Sequence, residues 1–190
     1  MVDKSAGRRK RRTAAPLLAL VGILVLVAAG CGGKSADQKA SEAYANSVCT
    51  AIAGWQTQVK SITTDLSGGI SRASLQSKVT RVESATKSLV TQIKTIPLPN
   101  TSQGQTTRQQ LDQLSANLTS TVASIKAAFA GLQTDASAGT VAAAVLTLAP
   151  QVKTLATSAQ STISTLKSSE EARSSAFKNA ESCQSLGGSG

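Results

Sequence analysis

The feature that most constrains the fold is the spacing of the large apolar residues that follow residue 45. They recur at alternating steps of three and four over four long segments, which places them along one side of an α-helix. The members are Val48, Ile52, Trp55, Val59, Ile62, Leu66; Leu75, Val79, Val82, Leu89, Ile93, Ile96, with Ala85 or Thr86 at the missing step; Leu111, Leu114, Leu118, Val122, Ile125, Phe129, Leu132; and Val141, Val145, Leu148, Val152, Leu155, Ala159, Ile163, Leu166. No comparable stretch alternates as a β-strand would, so the pattern predicts an all-α fold.

Turn-forming residues separate these segments. Ser67 to Gly69 ends the first, Pro97 to Asn100 ends the second and Asp135 to Gly139 ends the third. Proline cannot donate a backbone hydrogen bond and moves the preceding residue out of the helical region. Long helices with short connections favour antiparallel neighbours. The sequence therefore predicts an antiparallel up-and-down bundle of about four long helices.

The last segment carries two features that interrupt a straight helix. Pro150 lies inside the apolar repeat, where proline kinks or restarts a helix. Farther on, Ser168 to Glu171 matches a capping box, which is typical of a helix start. We therefore expect the last helix to be kinked or broken near Pro150 and Ser168-Ser169. A new or redirected helix from about residue 169 to 183 would carry Phe177 into the core.

The N-terminal segment has the three-part pattern of an export signal. Residues 1–12 contain six lysines and arginines, and residues 13–33 carry no charge. The apolar stretch within them spans about 14 residues, which is short for a transmembrane helix of about 20. A cationic start followed by a short apolar segment predicts a signal peptide.

The end of that apolar stretch reads Val-Ala-Ala-Gly-Cys over residues 27–31. It resembles the lipobox of bacterial lipoproteins, in which small residues precede an obligatory cysteine; Ala28 stands where leucine is commoner. The resemblance implies that Cys31 receives a diacylglyceryl group on sulfur. Cleavage before Cys31 would make it the new N-terminus, which in this family is usually acylated as well, with fatty acids such as palmitate. The additional chain matters because one acyl chain alone binds a membrane weakly. An uncleaved signal anchor with a free Cys31 thiol is the alternative.

This interpretation divides the chain into four parts. Residues 1–30 are a lipoprotein signal peptide, and residues 31–37 are the lipidated cysteine and a flexible tether. The helical bundle domain extends over 38–186, and 187–190 form a flexible tail. The expected location is the cell membrane, on its extracytoplasmic side and anchored through lipid on Cys31.

With Cys31 assigned to lipid, Cys49 and Cys183 are the remaining cysteines. Disulfides persist in exported proteins, so a Cys49–Cys183 disulfide is the leading interpretation. In an up-and-down bundle, the start of the first helix and the end of the last share one pole. A straight helix from Gly139 to Cys183 would extend about 66 Å and overshoot Cys49. The disulfide therefore requires the 139–183 region to bend or fold back. Two buried reduced thiols are the alternative.

The sequence offers little for catalysis. It contains no histidine, which excludes Ser–His–Asp and Cys–His nucleophiles and the usual zinc sites. The spacing Ser-x-x-Lys of serine–lysine acyl enzymes occurs at Ser84–Lys87, Ser164–Lys167 and Ser175–Lys178, without that family's companion motifs. We interpret these pairs as solvated helix faces. We predict a protein that is not an enzyme, with no catalytic residues, no metal site and no cofactor-binding residues.

The formal charge of +10 does not indicate nucleic-acid binding. Six of the 20 basic residues lie in the first 12 positions, and the others are spread singly along the chain. A phosphate-binding surface would need clustered lysines and arginines interleaved with aromatic residues. We therefore expect no nucleic-acid partner.

The favoured hypothesis is a membrane-anchored, extracytoplasmic, non-catalytic helical scaffold or interaction protein. The early Cys–Trp helix and the late Phe–Cys helix resemble small Ala/Ser/Thr-rich lipoproteins of high-GC Gram-positive bacteria, a likeness that implies no activity. Expected partners are the membrane, through lipid on Cys31, and an envelope protein or wall polymer. The alternative is an extracytoplasmic bundle that binds a small ligand between its helices. The sequence leaves the oligomeric state open.

Overall fold

The computed structural model describes residues 34–64, 71–169 and 171–187 of the 190-residue chain. Over these residues the fold is all-α, as the apolar spacing predicts. The helices are α1 (Ala36–Thr64), α2 (Arg72–Thr95), α3 (Ser102–Ala130), α4 (Ala138–Ser168), α5 (Glu171–Asn179) and α6 (Glu181–Gln184). A single 3-10 turn, Ser185–Gly187, follows α6. Residues 34–187 belong to one compact unit.

The four long helices pack side by side with alternating direction. Trp55 of α1 donates its indole N–H to Thr86 of α2 at 3.2 Å. Along α2 and α3, Lys126 pairs with Glu83 near one end, whereas Arg108 reaches Ile93 near the other. As residue numbers rise along α3, the contacted numbers fall along α2, which is the mark of antiparallel neighbours. The predicted helical bundle is confirmed.

Hydroxyl side chains begin all four long helices in the described chain. Ser71, Thr101 and Ser137 each accept a hydrogen bond from the backbone N–H three residues later. At α1, Ser35 and Gln38 exchange side-chain and backbone bonds in a reciprocal capping box. α1 therefore begins at Ala36, two residues inside the predicted 31–37 tether. Each such cap contributes about 1 kcal/mol to helix stability.

Two arginines cap the C-terminal ends of α2 and α3, each from the neighbouring helix. Arg108, near the start of α3, donates to the carbonyls of Ile93 and Ile96 at the end of α2. Arg72, at the start of α2, donates to the Leu132 carbonyl just beyond α3 and lies 5.2 Å from the centre of the Phe129 ring. The last carbonyls of a helix lack partners within it and carry partial negative charge. Each helix therefore supplies the cation that stabilises the end of its neighbour.

Aliphatic side chains dominate the core. The predicted repeat residues of α1, α2, α3 and α4 are buried, except that Ile96, Leu132 and Val145 are half-buried and Leu66 lies outside the described residues. Ala85 and Thr86 are both buried at the step where the apolar repeat of α2 is interrupted. Each fully buried large aliphatic side chain contributes about 1.5–3 kcal/mol. The predicted core is therefore largely confirmed.

The last part of the chain differs from the prediction at Ser168 and over 169–183, and at Pro150 it excludes the break but not the kink. α4 continues through Pro150 and does not restart there; Pro150 is exposed, so the carbonyl that loses its helical partner lies on the solvent side. Ser168, predicted to cap the next helix, is the last residue of α4, and its hydroxyl donates back to the Thr165 carbonyl. Two helices, separated at Ala180, replace the single predicted helix over 169–183. The predicted break near Ser168-Ser169 is confirmed.

Candidate functional site

The predicted lipid-attachment residue, Cys31, and the signal peptide over 1–30 lie outside the described residues. Lys34 is the first residue that the structure describes. Its ammonium forms an ion pair at 2.6 Å with the carboxylate of Glu42, which lies on the first turns of α1. Within the described residues, no helix has the length and apolar character needed to cross a membrane.

Cys49 and Cys183 come together as the predicted disulfide. Their Cα atoms are 5.0 Å apart, and both side chains are fully buried. The pairing depends on the turn after Ser168: α5 folds back from the end of α4 and returns α6 to α1. Phe177, on α5, is buried in the same region, as predicted. The fold-back that the disulfide requires therefore follows α4, with a second interruption at Ala180 between α5 and α6.

Polar contacts fix α6 against its neighbours around this disulfide. Ser182 donates its backbone N–H to the Asn46 side-chain carbonyl at 3.2 Å. Its hydroxyl lies 2.9 Å from both the backbone and the side-chain oxygen of Asn46. From α4, the Lys167 ammonium donates to the Cys183 carbonyl. The C-terminal segment is thus held by one covalent bond and several hydrogen bonds to α1 and α4.

An open groove lies along the seam between α1 and α4, next to the part of the seam that α6 and the 3-10 turn occupy. We call it the α1–α4 groove; its volume is about 770 Å³. Its length, from Ala53 to Thr63, is about 15 Å at the helical rise per residue. Its apolar lining consists of Ala53, Val59, Ala149, Val152, Ala156 and Leu186. Leu186, on the 3-10 turn, closes one end.

The polar lining of the α1–α4 groove has one sign of charge. Lys60 from α1 and Lys153 from α4 both line it, with neutral Gln, Thr and Ser side chains, and no acidic residue does. Neither ammonium forms an ion pair with the residues that the structure describes. Gln56 donates to the Ala156 carbonyl at 3.4 Å and so joins the two helices across the seam. The groove is a shallow apolar channel with two unneutralised cations at its rim.

A second, smaller cavity of about 50 Å³ lies at the pole where α3 begins. Tyr44, Gly104 and Arg173 contribute to its wall. The Tyr44 hydroxyl is buried without a hydrogen-bond partner among the described residues. Burial raises the pKa of this phenol above its ordinary value, the nearby Arg108 charge opposes that shift and Asp112 adds to it. The volume is suited to water rather than to an organic ligand.

The residues that the structure describes include no cluster of candidate metal ligands. No group of three or more His, Cys, Asp or Glu side chains could hold a metal ion there. Among the Ser-x-x-Lys pairs, Lys87 is bound to Glu83 at 2.8 Å, and Lys167 is bound to the Cys183 carbonyl. Hydrogen bonds from Lys87 and Lys126 lower the pKa of the Glu83 carboxyl. These lysines have structural partners instead of an adjacent serine.

Sequence reasoning missed the α1–α4 groove. The available signal is that small residues, Ala53, Ala149 and Ala156, stand where larger side chains would fill the seam. These alanines resemble ordinary helix-forming residues until the pairing of α1 with α4 is known.

Comparison with known proteins adds no relative. No protein-family profile, curated protein or solved structure matches this chain. The interpretation of function therefore depends on the sequence pattern of the N-terminus and on the geometry described above.

Proposed function

We propose that this chain is the precursor of a bacterial lipoprotein whose helical bundle is held outside the cytoplasmic membrane by lipid on Cys31. The single observation that carries the proposal is the ordered N-terminal pattern, a cationic start, a short apolar segment and Val-Ala-Ala-Gly-Cys over 27–31. The buried Cys49–Cys183 pairing supports it, because disulfides persist mainly in exported proteins. Its role is that of a non-catalytic scaffold or interaction protein of the cell envelope.

Metabolic labelling of producing cells with an alkyne fatty acid tests the anchor. The wild-type protein is expected to carry the label and to remain with the membrane fraction. Mass spectrometry of its N-terminal peptide should find Cys31 as the first residue, with a diacylglyceryl group. Cys31→Ser should abolish the label. The matched control is Cys49→Ser/Cys183→Ser, which leaves Cys31 in place and should retain the label.

Three outcomes contradict the proposal. An N-terminal peptide that still contains residues 1–30 and an unmodified Cys31 would establish an uncleaved signal anchor. Retention of the fatty-acid label by Cys31→Ser would place the acylation elsewhere. Release of unlabelled wild-type protein into the medium would show that no lipid anchor forms.

A second candidate function is the binding of a small ligand by the bundle. The α1–α4 groove favours it, because its volume of about 770 Å³ lies within the usual range of ligand pockets. The first proposal concerns how the domain is anchored, and the second concerns what the anchored domain binds. The two are compatible and are tested separately.

A further inference from the structure

We infer that the α1–α4 groove binds a single-chain fatty acid, with its carboxylate at Lys60 and Lys153 and its acyl chain along the apolar floor. This inference rests on the second candidate function and specifies its ligand. Three properties of the groove carry it: its charge, its lining and its shape.

The charge of the groove selects an anion. Lys60 and Lys153 approach it from opposite helices, and no acidic side chain lines it. α1 and α4 are antiparallel, since Gln56 contacts Ala156 and the later Lys167 contacts Cys183, which is bonded to the earlier Cys49. This register places Lys60 and Lys153 at about the same level. A carboxylate held between them would pair with two cations that have no ion-pair partner among the described residues. Charge-assisted hydrogen bonds of this kind are stronger than neutral ones.

The lining of the groove selects a molecule with an apolar body. Val59 and Val152, the chain neighbours of the two lysines, line the groove, and Ala53, Ala156 and Leu186 continue the apolar surface toward the 3-10 turn. The lysine stems can extend that apolar surface while their ammonium groups remain at the rim. A ligand with one anionic end and one hydrocarbon tail satisfies both features, whereas a small inorganic anion would leave the floor empty.

The shape of the groove selects a single chain. From the level of Lys60 to Ala53 the groove extends about 10 Å at the helical rise, so it holds the carboxyl-proximal part of an acyl chain, whose reach within one leaflet is about 15 Å. The Gln56–Ala156 hydrogen bond joins α1 and α4 within the lining of the groove. A peptide helix, about 10 Å across, therefore cannot insert between them. An extended acyl chain fits this channel.

The test uses energy transfer from Trp55, the only tryptophan of the chain, to a polyene fatty acid such as parinaric acid. Trp55 is buried on α1 next to Gln56, which lines the groove. An acyl chain bound in the groove therefore lies about one helix diameter from the indole ring. The protein as purified from producing cells is placed in phosphatidylcholine vesicles and titrated with the acid and, separately, with its neutral methyl ester. The acid should give saturable transfer, and the ester should bind at least tenfold more weakly.

Three variants locate the site. Lys60→Met/Lys153→Met retains the apolar stems and should weaken binding of the acid about tenfold, as expected for two partly exposed ion pairs. Lys39→Met/Lys94→Met removes two exposed lysines outside the groove and should leave the affinity unchanged. Ala156→Phe fills the apolar floor between the lysines and the 3-10 turn while both groove lysines remain, and it should abolish saturable transfer. Circular dichroism verifies that each variant is folded.

The possible results separate the two levels of the proposal. Equal affinity for the acid and the ester, or equal weakening by the two lysine pairs, overturns the fatty-acid inference. If Ala156→Phe still abolishes ester binding in that case, the ligand-binding function stands without the selection for an anion. If folded Ala156→Phe binds as wild type does, or if no saturable transfer occurs, both the inference and the ligand-binding function fail. The lipid anchor on Cys31 is unaffected by any of these results.

Discussion

Reduction of the Cys49–Cys183 disulfide should greatly lower the stability of the bundle. The bond closes a loop with a sequence separation of 134 residues. In the chain-entropy description, joining ends so far apart removes enough freedom from the unfolded chain to contribute about 5 kcal/mol. Net stabilities of single domains are about 5–15 kcal/mol. The disulfide is therefore expected to supply a large fraction of the free energy of unfolding.

The assay is equilibrium urea unfolding of the full chain in a non-ionic detergent, with and without reductant. Helical circular dichroism and Trp55 fluorescence follow the transition, and thiol titration verifies the state of the cysteines. The reduced protein should unfold with a free energy lower by about 4–5 kcal/mol. Cys49→Ala/Cys183→Ala is the matched control, because it should be destabilised without reductant and insensitive to its addition.

Two results would refute this reasoning. Two free thiols in the protein as isolated from the envelope would show that the bond does not form. A loss of less than about 1 kcal/mol on verified reduction would show that the hydrogen bonds between Asn46 and Ser182, and the burial of Phe177, suffice to hold α5 and α6. Detachment of α5 and α6 alone would be recognised by a fluorescence transition that no longer coincides with the circular dichroism transition.

Three further sets of substitutions test the packing, each measured by urea unfolding. Thr86→Val should cost about 1–3 kcal/mol because it leaves the Trp55 indole N–H buried without its acceptor, whereas Thr86→Ser should retain most of the stability; equal effects would contradict the role of this bond. Tyr44→Phe should raise the free energy of unfolding by about 1 kcal/mol, since the buried hydroxyl has no partner among the described residues. Its raised pKa means that the unfolded phenol ionises first, so the advantage of Tyr44→Phe should grow above about pH 10; a constant difference would refute this. Gly104→Ala should cost about 1–3 kcal/mol because its Cβ would collide with the backbone carbonyl oxygen of Pro99. Gly54→Ala, with open space around it, should gain about 0.5–1 kcal/mol. The same sign for both would count against the described packing.

The helical class and the core could be predicted because both depend on local spacing. A three-four repeat fixes which side of each helix is apolar, whatever that side packs against. Residues such as Leu118 and Ile163 are fully buried where the repeat places them. The break after Ser168 and the pairing of Cys49 with Cys183 could also be reasoned out, since helix length and the position of the poles follow from residue count.

Other features could not be predicted, because they depend on which surfaces meet. Pro150 carries a local signal for a helix break, yet α4 continues through it because the position is exposed and the buried contacts on either side hold the helix. Arg72 on α2 donates to a carbonyl beyond the end of α3, and Arg108 on α3 donates to a carbonyl at the end of α2. Both contacts require α2 and α3 to be antiparallel. Neither residue shows this role in the linear sequence.

The sequence by itself determined the all-α class and the apolar face of each long helix, because both are encoded in the order of neighbouring residues; the lipid site at Cys31 stays a prediction from the same kind of pattern. Only the tertiary structure decided how α5 and α6 return to α1, and that they leave part of the α1–α4 seam unfilled. The physical reason is that a groove is a property of the space between helices. Its existence depends on which side chains face each other across a seam, and residues such as Lys60 and Lys153 are far apart along the chain.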